Sequence, residues 1–275
     1  MNTGLAGKVA VVTGATANVG RGIALAFAAE GAGVVVVGRD EASGERVVRR
    51  ALDRGAAAAF WRPTDVTDHN DVVALVTDVL ERFGRIDVLV NGVGGNADVM
   101  PFVDSNPDEW LRDIEVNLLS TLAMTHAVLP HLLAQGSGCV INIGSTAGLI
   151  GDRSMAVYSA AKGGVHAFTK VLALEVGRSG VTVNAIAPYR TRSDDPAEAA
   201  EGVSASSRYH PERGLFARLA TERPDVIGSM LRETALVRDR ARPEEIGAAA
   251  VYLASEQAAF VTGQVLVIDG GVSVV

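Results

Sequence analysis

Two side chains four residues apart give the first chemical reading of this chain. Tyr158 and Lys162, in Tyr158-Ser159-Ala160-Ala161-Lys162, fall on one face of a predicted helix. A phenol near pKa 10 donates or accepts a proton poorly at neutral pH. An ammonium beside it stabilises the phenolate and lowers that pKa, each unit being worth about 1.4 kcal/mol. Such a pair suits hydride transfer to a carbonyl, where the alkoxide must receive a proton, or the reverse reaction. Ser145 ends the apolar run of Val140–Ile143, in Ile143-Gly144-Ser145, where its hydroxyl can hydrogen-bond the substrate oxygen. Chance places a Tyr and a Lys four apart in many helices, so the elements around the pair must carry the argument.

A second cluster lies near the start. After a Val-rich run comes Thr13-Gly14-Ala15-Thr16-Ala17-Asn18-Val19-Gly20-Arg21-Gly22, leading into the apolar helix Ile23–Ala29. The glycines let the backbone turn sharply and approach a pyrophosphate, and the helix N-terminus offers free N–H groups and a positive dipole end. Asn18 stands where a third glycine would be usual. Asn tolerates positive φ well, so the turn survives, and its amide is available to a ligand.

The elements that position these clusters alternate. Val9–Thr13, Val34–Gly38, Ala58–Trp61, Ile86–Asn91, Cys139–Ser145, Val181–Ala187 and Gln264–Ile268 read as seven strands. Gly20–Glu30, Glu41–Arg54, Asp68–Phe83, Pro107–Ala134, Ser154–Arg178 and Pro243–Ser255 carry apolar residues at helical spacing. The alternation implies βαβ units, and near-continuous Val/Ile strands imply a sheet buried on both faces. The expected fold is therefore α/β, a Rossmann-type doubly wound parallel sheet with helices on both faces and ligands at the strands' carboxyl ends. One domain spanning 1–275 is expected. Within it, residues 189–242, rich in charge, Ser, Pro and Ala with helical patches at Leu215–Ala220 and Val226–Leu231, read as a substrate-side lid.

Taken in order, the Thr-Gly loop, Asn91-Gly92-Val93-Gly94, Ser145, Tyr158, Lys162 and Asn184-Ala185-Ile186-Ala187-Pro188 resemble the classical short-chain dehydrogenase/reductase family over residues 5 to 272. The resemblance implies an oxidoreductase acting on a ketone or secondary alcohol with a nicotinamide cofactor. It implies Asn117 as a fourth catalytic residue that positions a water, and Lys162 also holding the nicotinamide ribose. For the cofactor it implies Gly14, Thr16, Asn18, Val19 and Gly20 at the phosphates and Asp65 and Val66 at the adenine. Asn91 and Gly92 follow the fourth strand, and Pro188, Thr191 and Ser193 stand at the nicotinamide end. It also implies a homo-oligomer, a tetramer or dimer. Gly38 occupies the place where NAD-preferring relatives carry an acid, and Arg39 follows, able to fork onto a 2′-phosphate. NADP(H) is the favoured cofactor; NAD(H) is the alternative, through Asp40 and with a cyclic alcohol or diol as substrate. Tyr189 replaces a usual glycine and is either a pocket wall or an ordinary loop aromatic. A non-catalytic dinucleotide sensor would keep the loop but could discard Ser145, Tyr158 and Lys162, all of which are present.

Composition removes other classes. A net charge of -7 without Lys/Arg clustering argues against nucleic acid, and the stripe Arg46, Arg50, Arg54 reads as a solvated helix face. The lone Cys139 allows no intrachain disulfide, and His69, His126, His131, His166 and His210 lack metal-ligand spacing, so no metal is expected. Apolar runs of strand length and an N-terminus without a signal-like pattern lead to the expectation of a cytoplasmic protein with no membrane partner.

Overall fold

A computed structural model describes residues 2–96, 99–200, 212 and 214–274. Seven strands run parallel in one sheet: β1 (Val9–Thr13), β2 (Gly33–Val37), β3 (Ala58–Arg62), β4 (Val88–Asn91), β5 (Gly138–Ile143), β6 (Val181–Pro188) and β7 (Val265–Ile268). Their order is β3-β2-β1-β4-β5-β6-β7. The order reverses between β1 and β4, which opens a crevice at their carboxyl ends, where such sheets bind ligands.

The strands are buried on both faces because alternate residues enter two cores. Ala10, Val12, Val34, Val36, Val88 and Val90 meet Ile23 and Phe27 of α1 (Asn18–Ala29), Val47 and Ala51 of α2 (Glu41–Asp53), and the C-terminal helix Pro243–Ala254. Val9, Val11, Val35, Val37 and Leu89 meet α3 (His69–Phe83) and two later helices on the other face. This period-2 division is what continuous Val/Ile strands require of a doubly wound sheet.

The expected helix Pro107–Ala134 is interrupted. It divides into α4 (Pro107–Ile114), a π-helical turn at Glu115–Leu119, and α5 (Ser120–Gln135). The full run has the length and apolarity to cross a bilayer, yet Met124, Val128 and Leu132 of α5 pack into the second core. Beyond β5 lie α6 (Ala147–Ile150), a turn the sequence pattern did not indicate, and α7 (Ala156–Val176), which begins two residues later than expected. In the 189–242 segment the structure forms α8 (Pro196–Ala200), α9 (Leu215–Glu222) and α10 (Pro224–Met230), the last two on the anticipated patches; α11 is Pro243–Ala254. The remainder of that segment around 201–211, with His210, and residues 97 and 98 of the Gly95–Phe102 loop lie outside the described residues.

Candidate active site

The loop after β1 is closely packed backbone. Gly14 has φ 67°, and a Cβ there would stand 3.0 Å from the Gly92 carbonyl oxygen; a Cβ on Gly20 would be 2.2 Å from that of Gly14. Only glycine fits both places. Thr13 Oγ1 accepts from Gly92 N at 2.9 Å, tying the ends of β1 and β4 together at the switch point. Ala17, at the N-cap of α1, supplies no side-chain cap and the first turn holds no acid, so the leading N–H groups stay available to an anion. Asn18 adopts φ 42°, as its residue type allows. Its amide is turned away from a ligand role, because Nδ2 donates to Thr191 O at 3.0 Å and clips the loop to the 189–242 segment.

At the end of β2, a Cβ on Gly38 would meet the Thr16 methyl at 2.5 Å, so any side chain there would require Thr16 to shift. Asp40 caps α2, accepting from Ser43 N at 2.8 Å, and these hydrogen bonds hold its carboxyl below the usual range. Arg39 is 80% exposed, with only a 4.0 Å pairing to Asp65. The Asp65 carboxylate takes Thr67 Oγ1 at 2.7 Å and Thr67 N at 3.0 Å, bonds that lower its pKa, while Val66 is buried. Asn91 faces inward. Its Nδ2 donates to Thr125 Oγ1 (2.9 Å) and Asn142 Oδ1 (2.8 Å), and Asn142 Nδ2 continues to Thr169 Oγ1 (2.9 Å), a buried chain that joins β4, β5, α5 and α7.

Ser145, Tyr158, Lys162 and Asn117 meet at the carboxyl ends of β4 and β5. Ser145 lies within interaction range of the Tyr158 hydroxyl, and its Oγ accepts from Ala147 N at 3.1 Å. Burial raises the Tyr158 pKa above its ordinary value; the Ser145 hydroxyl opposes this, and the charges of Asp152 and Asp113 add to it. The expectation that Lys162 lowers the phenol's pKa is therefore corrected for this state. Lys162 Nζ lies 5.9 Å from the Tyr158 ring centroid and donates to Ile143 O at 2.8 Å instead. The ammonium is itself buried, and desolvation brings its pKa down to about 8. Asn117, fully buried in the π-helical turn, clasps Gly95 from both sides: Nδ2 donates to Gly95 O (2.6 Å) and Oδ1 accepts from Gly95 N (2.9 Å). A third bond, to Asp113 O at 2.8 Å, anchors it to α4. Gly94 is what lets Asn117 and Lys162 meet, since a Cβ there would lie 2.9 Å from Asn117 Oδ1 and 2.8 Å from Lys162 Nζ.

The 189–242 segment is bound down at several points. Glu198 of α8 accepts from Ser193 Oγ (2.8 Å) and Arg50 Nη2 (2.9 Å), and its main-chain oxygen accepts from buried Arg21 at 2.8 Å. Arg50 is thus a docking residue and not merely part of a solvated stripe. The partners lie 148 residues apart, a distance no sequence periodicity reports. Pro188 O accepts from Thr146 N at 3.2 Å. Tyr189 is buried, and its hydroxyl accepts from Arg232 N at 3.0 Å, a structural tie within the segment. Sequence reasoning passed over Arg21, Gly94, Asp113, Asp152 and Glu198. Gly94 alone carried a signal, as the last residue of a recognised turn.

A phosphate-ready loop at the switch point, with a phenol, an ammonium and a hydroxyl converging one strand away, is the layout of a nicotinamide-dependent oxidoreductase. Comparison with known proteins gives the family. Residues 8–203 match the model described as short chain dehydrogenase, and residues 217–273 match that described as Enoyl-(Acyl carrier protein) reductase. The chain is 38% identical to L-fucose dehydrogenase of Oryctolagus cuniculus, over 97% of this chain and 85% of that protein. It is 37% identical to cis-4-hydroxycyclohexanecarboxylate dehydrogenase of Sinomonas cyclohexanicum over the whole of both chains. It is 33% identical to 3beta-hydroxysteroid dehydrogenase of Mediterraneibacter gnavus, over 96% of this chain and 94% of that protein. The chain belongs to the short-chain dehydrogenase/reductase family and is an oxidoreductase of alcohols and carbonyls that uses NAD(P)(H).

Proposed function

We propose that the chain interconverts a carbonyl compound and a secondary alcohol with NADP(H), Tyr158 moving the proton. The observation that carries this reading is the grouping of Tyr158 with buried Ser145, and with buried Lys162 one helical turn away. The bound nicotinamide would supply or take the hydride. Ser145 Oγ, beside the phenol, holds the substrate oxygen. Tyr158 Oη gives its proton to the nascent alkoxide in reduction and removes the hydroxyl proton in oxidation. Burial keeps the phenol protonated near neutral pH, which favours the reductive direction there, whereas oxidation requires the phenolate and gains as pH rises.

The residues present fit the cofactor. Lys162 makes its one side-chain hydrogen bond to Ile143 O, which leaves donors for the ribose hydroxyls. The uncapped N-terminus of α1 suits the pyrophosphate. NADP(H) is favoured because position 38 is glycine and carries no acid, Asp40 is committed to capping α2, and Arg39 is exposed and only loosely held. A homo-oligomer is also proposed, supported by the exposed apolar side chains Phe260, Leu266 and Val267 at and beside the edge strand β7.

Steady-state kinetics with NADP+ and NAD+ on wild type and Arg39→Ala test the cofactor assignment. The expected outcome is an NADP+ preference that falls at least tenfold in the variant, the scale of one charge-assisted fork. An undiminished preference in Arg39→Ala would sink it.

A further inference from the structure

Ser145 owes its place beside Tyr158 to the turn that carries it, which runs from the end of β5 into α6. On one side β6 holds this turn: Gly144 N donates to Ile186 O at 2.7 Å, and Thr146 N donates to Pro188 O at 3.2 Å. Within itself the turn closes on Ser145, whose main-chain oxygen accepts from Gly148 N at 3.0 Å and whose Oγ accepts from Ala147 N at 3.1 Å. On the other side lies α7, which meets the turn at two glycines. A Cβ on Gly148 would lie 2.6 Å from the Lys162 carbonyl carbon and 2.7 Å from Gly163 N, so backbone rests on backbone there. A Cβ on Gly144 would overlap His166 Nε2 and lie 2.7 Å from Cδ2. The imidazole thus fills the space beneath the residue that precedes Ser145.

His166 is buried, and its ring faces both ends of the turn: Nε2 lies under Gly144, and the Gly148 backbone is within interaction range. Neither ring nitrogen completes a hydrogen bond among the described residues. Such a group costs the fold free energy that a plain aliphatic side chain would not, so core packing alone does not account for it. What sets imidazole apart here is a flat edge that fits under a backbone at close approach. Tyr158, Lys162 and His166 follow one another at intervals of four along one side of α7. Desolvation keeps the ring neutral, so it adds no second positive charge beside the Lys162 ammonium. The proposed chemistry needs Ser145 Oγ and Tyr158 Oη on one substrate oxygen, and a misplacement of about 1 Å in such a geometry costs about 10²-fold. We infer that His166 is a positioning residue for Ser145: its ring is the spacer that sets the height of the Gly144–Gly148 turn above α7, and with it the approach of Ser145 Oγ to Tyr158 Oη. The inference rests on the proposed function and adds to it a residue that acts through Ser145 rather than on the substrate.

Two double-mutant cycles in the full-length protein test it. Values of kcat and KM come from NADPH absorbance with the fastest-reduced ketone of a panel that includes cyclohexanone, and NADPH affinity comes from fluorescence titration. His166→Ala, which empties the space under Gly144, should lower kcat by about 10- to 100-fold with NADPH affinity held within about threefold. His166→Gln, which puts a planar amide at the reach of Nε2, should stay within about threefold of wild-type kcat. In the Ser145→Ala background, His166→Ala should change kcat by less than about twofold, because the two residues act as a unit. Gly144→Ala drives a Cβ into the ring and should lose activity on the same scale; combined with His166→Ala it should recover about tenfold, since the ring no longer meets the Cβ. Circular dichroism checks that the variants fold, and Gly144→Ala alone and in Ser145→Ala carries the same expectation if His166→Ala does not. Wild-type kcat in the single variants overturns the inference, as does a loss that persists in Ser145→Ala, a loss confined to NADPH affinity, or no recovery in the Gly144→Ala/His166→Ala pair. In each of those cases a Tyr158-dependent reaction leaves the proposed function standing. A Ser145→Ala protein as fast as wild type would remove Ser145 from that mechanism and this inference with it, and turnover indifferent to Tyr158→Phe would remove the mechanism itself.

Discussion

Replacing Lys162 with Met should abolish turnover and make the protein more stable. The ammonium is 3% exposed and has no carboxylate partner among the described residues, so the fold carries a desolvated charge. Lowering its pKa from 10.5 to about 8 corresponds to a penalty of about 3 kcal/mol wherever the group is protonated. Met fills nearly the same volume without the charge but forfeits the hydrogen bond to Ile143 O, worth about 1 kcal/mol. The balance is a gain of about 2 kcal/mol at pH 7, or a rise in Tm of roughly 4 °C for a chain of this size. The sign also fixes a pH dependence. Between about pH 8 and 10.5 the unfolded chain binds a proton that the folded chain does not, so wild-type stability gains a contribution as pH rises through this window. Urea denaturation at pH 7 and at pH 10 should show the two proteins converging, because the wild-type contribution is recovered at the higher pH and the variant has none to recover. A Lys162→Met protein less stable than wild type at pH 7, or a difference unchanged between the two pH values, would refute the claim that Lys162 is held at a cost to the fold.

Buried His166, one turn beyond Lys162, has its pKa lowered to about 4, chiefly by desolvation. Its contribution to stability is complete above pH 6.5 and lost as pH falls toward 4, about 3 kcal/mol in all. His166→Leu should accordingly move the acid-unfolding midpoint to lower pH, and an unmoved midpoint would contradict the burial argument. Gly44 of α2 sits against Trp61, and a Cβ there would lie 2.0 Å from Trp61 Cδ1. Gly44→Ala should destabilise by about 1–3 kcal/mol despite the better helix propensity of Ala, measured by denaturant titration; stabilisation would show that the indole can move aside.

Much of this architecture was readable from residue types. Val-rich strands of four to eight residues, separated by helices with apolar residues at helical spacing, leave few alternatives to a doubly wound sheet, and the observed strand ends differ from the expected ones by two residues at most. The positive φ of Asn18 followed from the tolerance of its side chain. The rest depends on three-dimensional packing. The π-helical turn at Glu115–Leu119 widens one turn by a residue inside a run that otherwise read as one helix, and it sets Asn117 against Gly95. Whether Asn91 faces a ligand or the core is decided by Thr125 and Asn142, which are remote in sequence. The tie from Glu198 to Arg21, Arg50 and Ser193 is likewise long-range, so the arginine stripe alone read as solvated. Burial of Lys162 against Ile143 O could not be seen in a four-residue spacing that only placed it near Tyr158.

The central claim is that the Tyr158 phenol moves the proton. The most direct measurement is a single-turnover experiment that follows reduced-nicotinamide absorbance in wild type and Tyr158→Phe, with NADPH affinity determined on both by fluorescence titration. The account predicts NADPH affinity within a few-fold of wild type and a chemical step slowed by about 10²–10⁴-fold, the usual contribution of a positioned acid or base. A step of undiminished rate in Tyr158→Phe would contradict it.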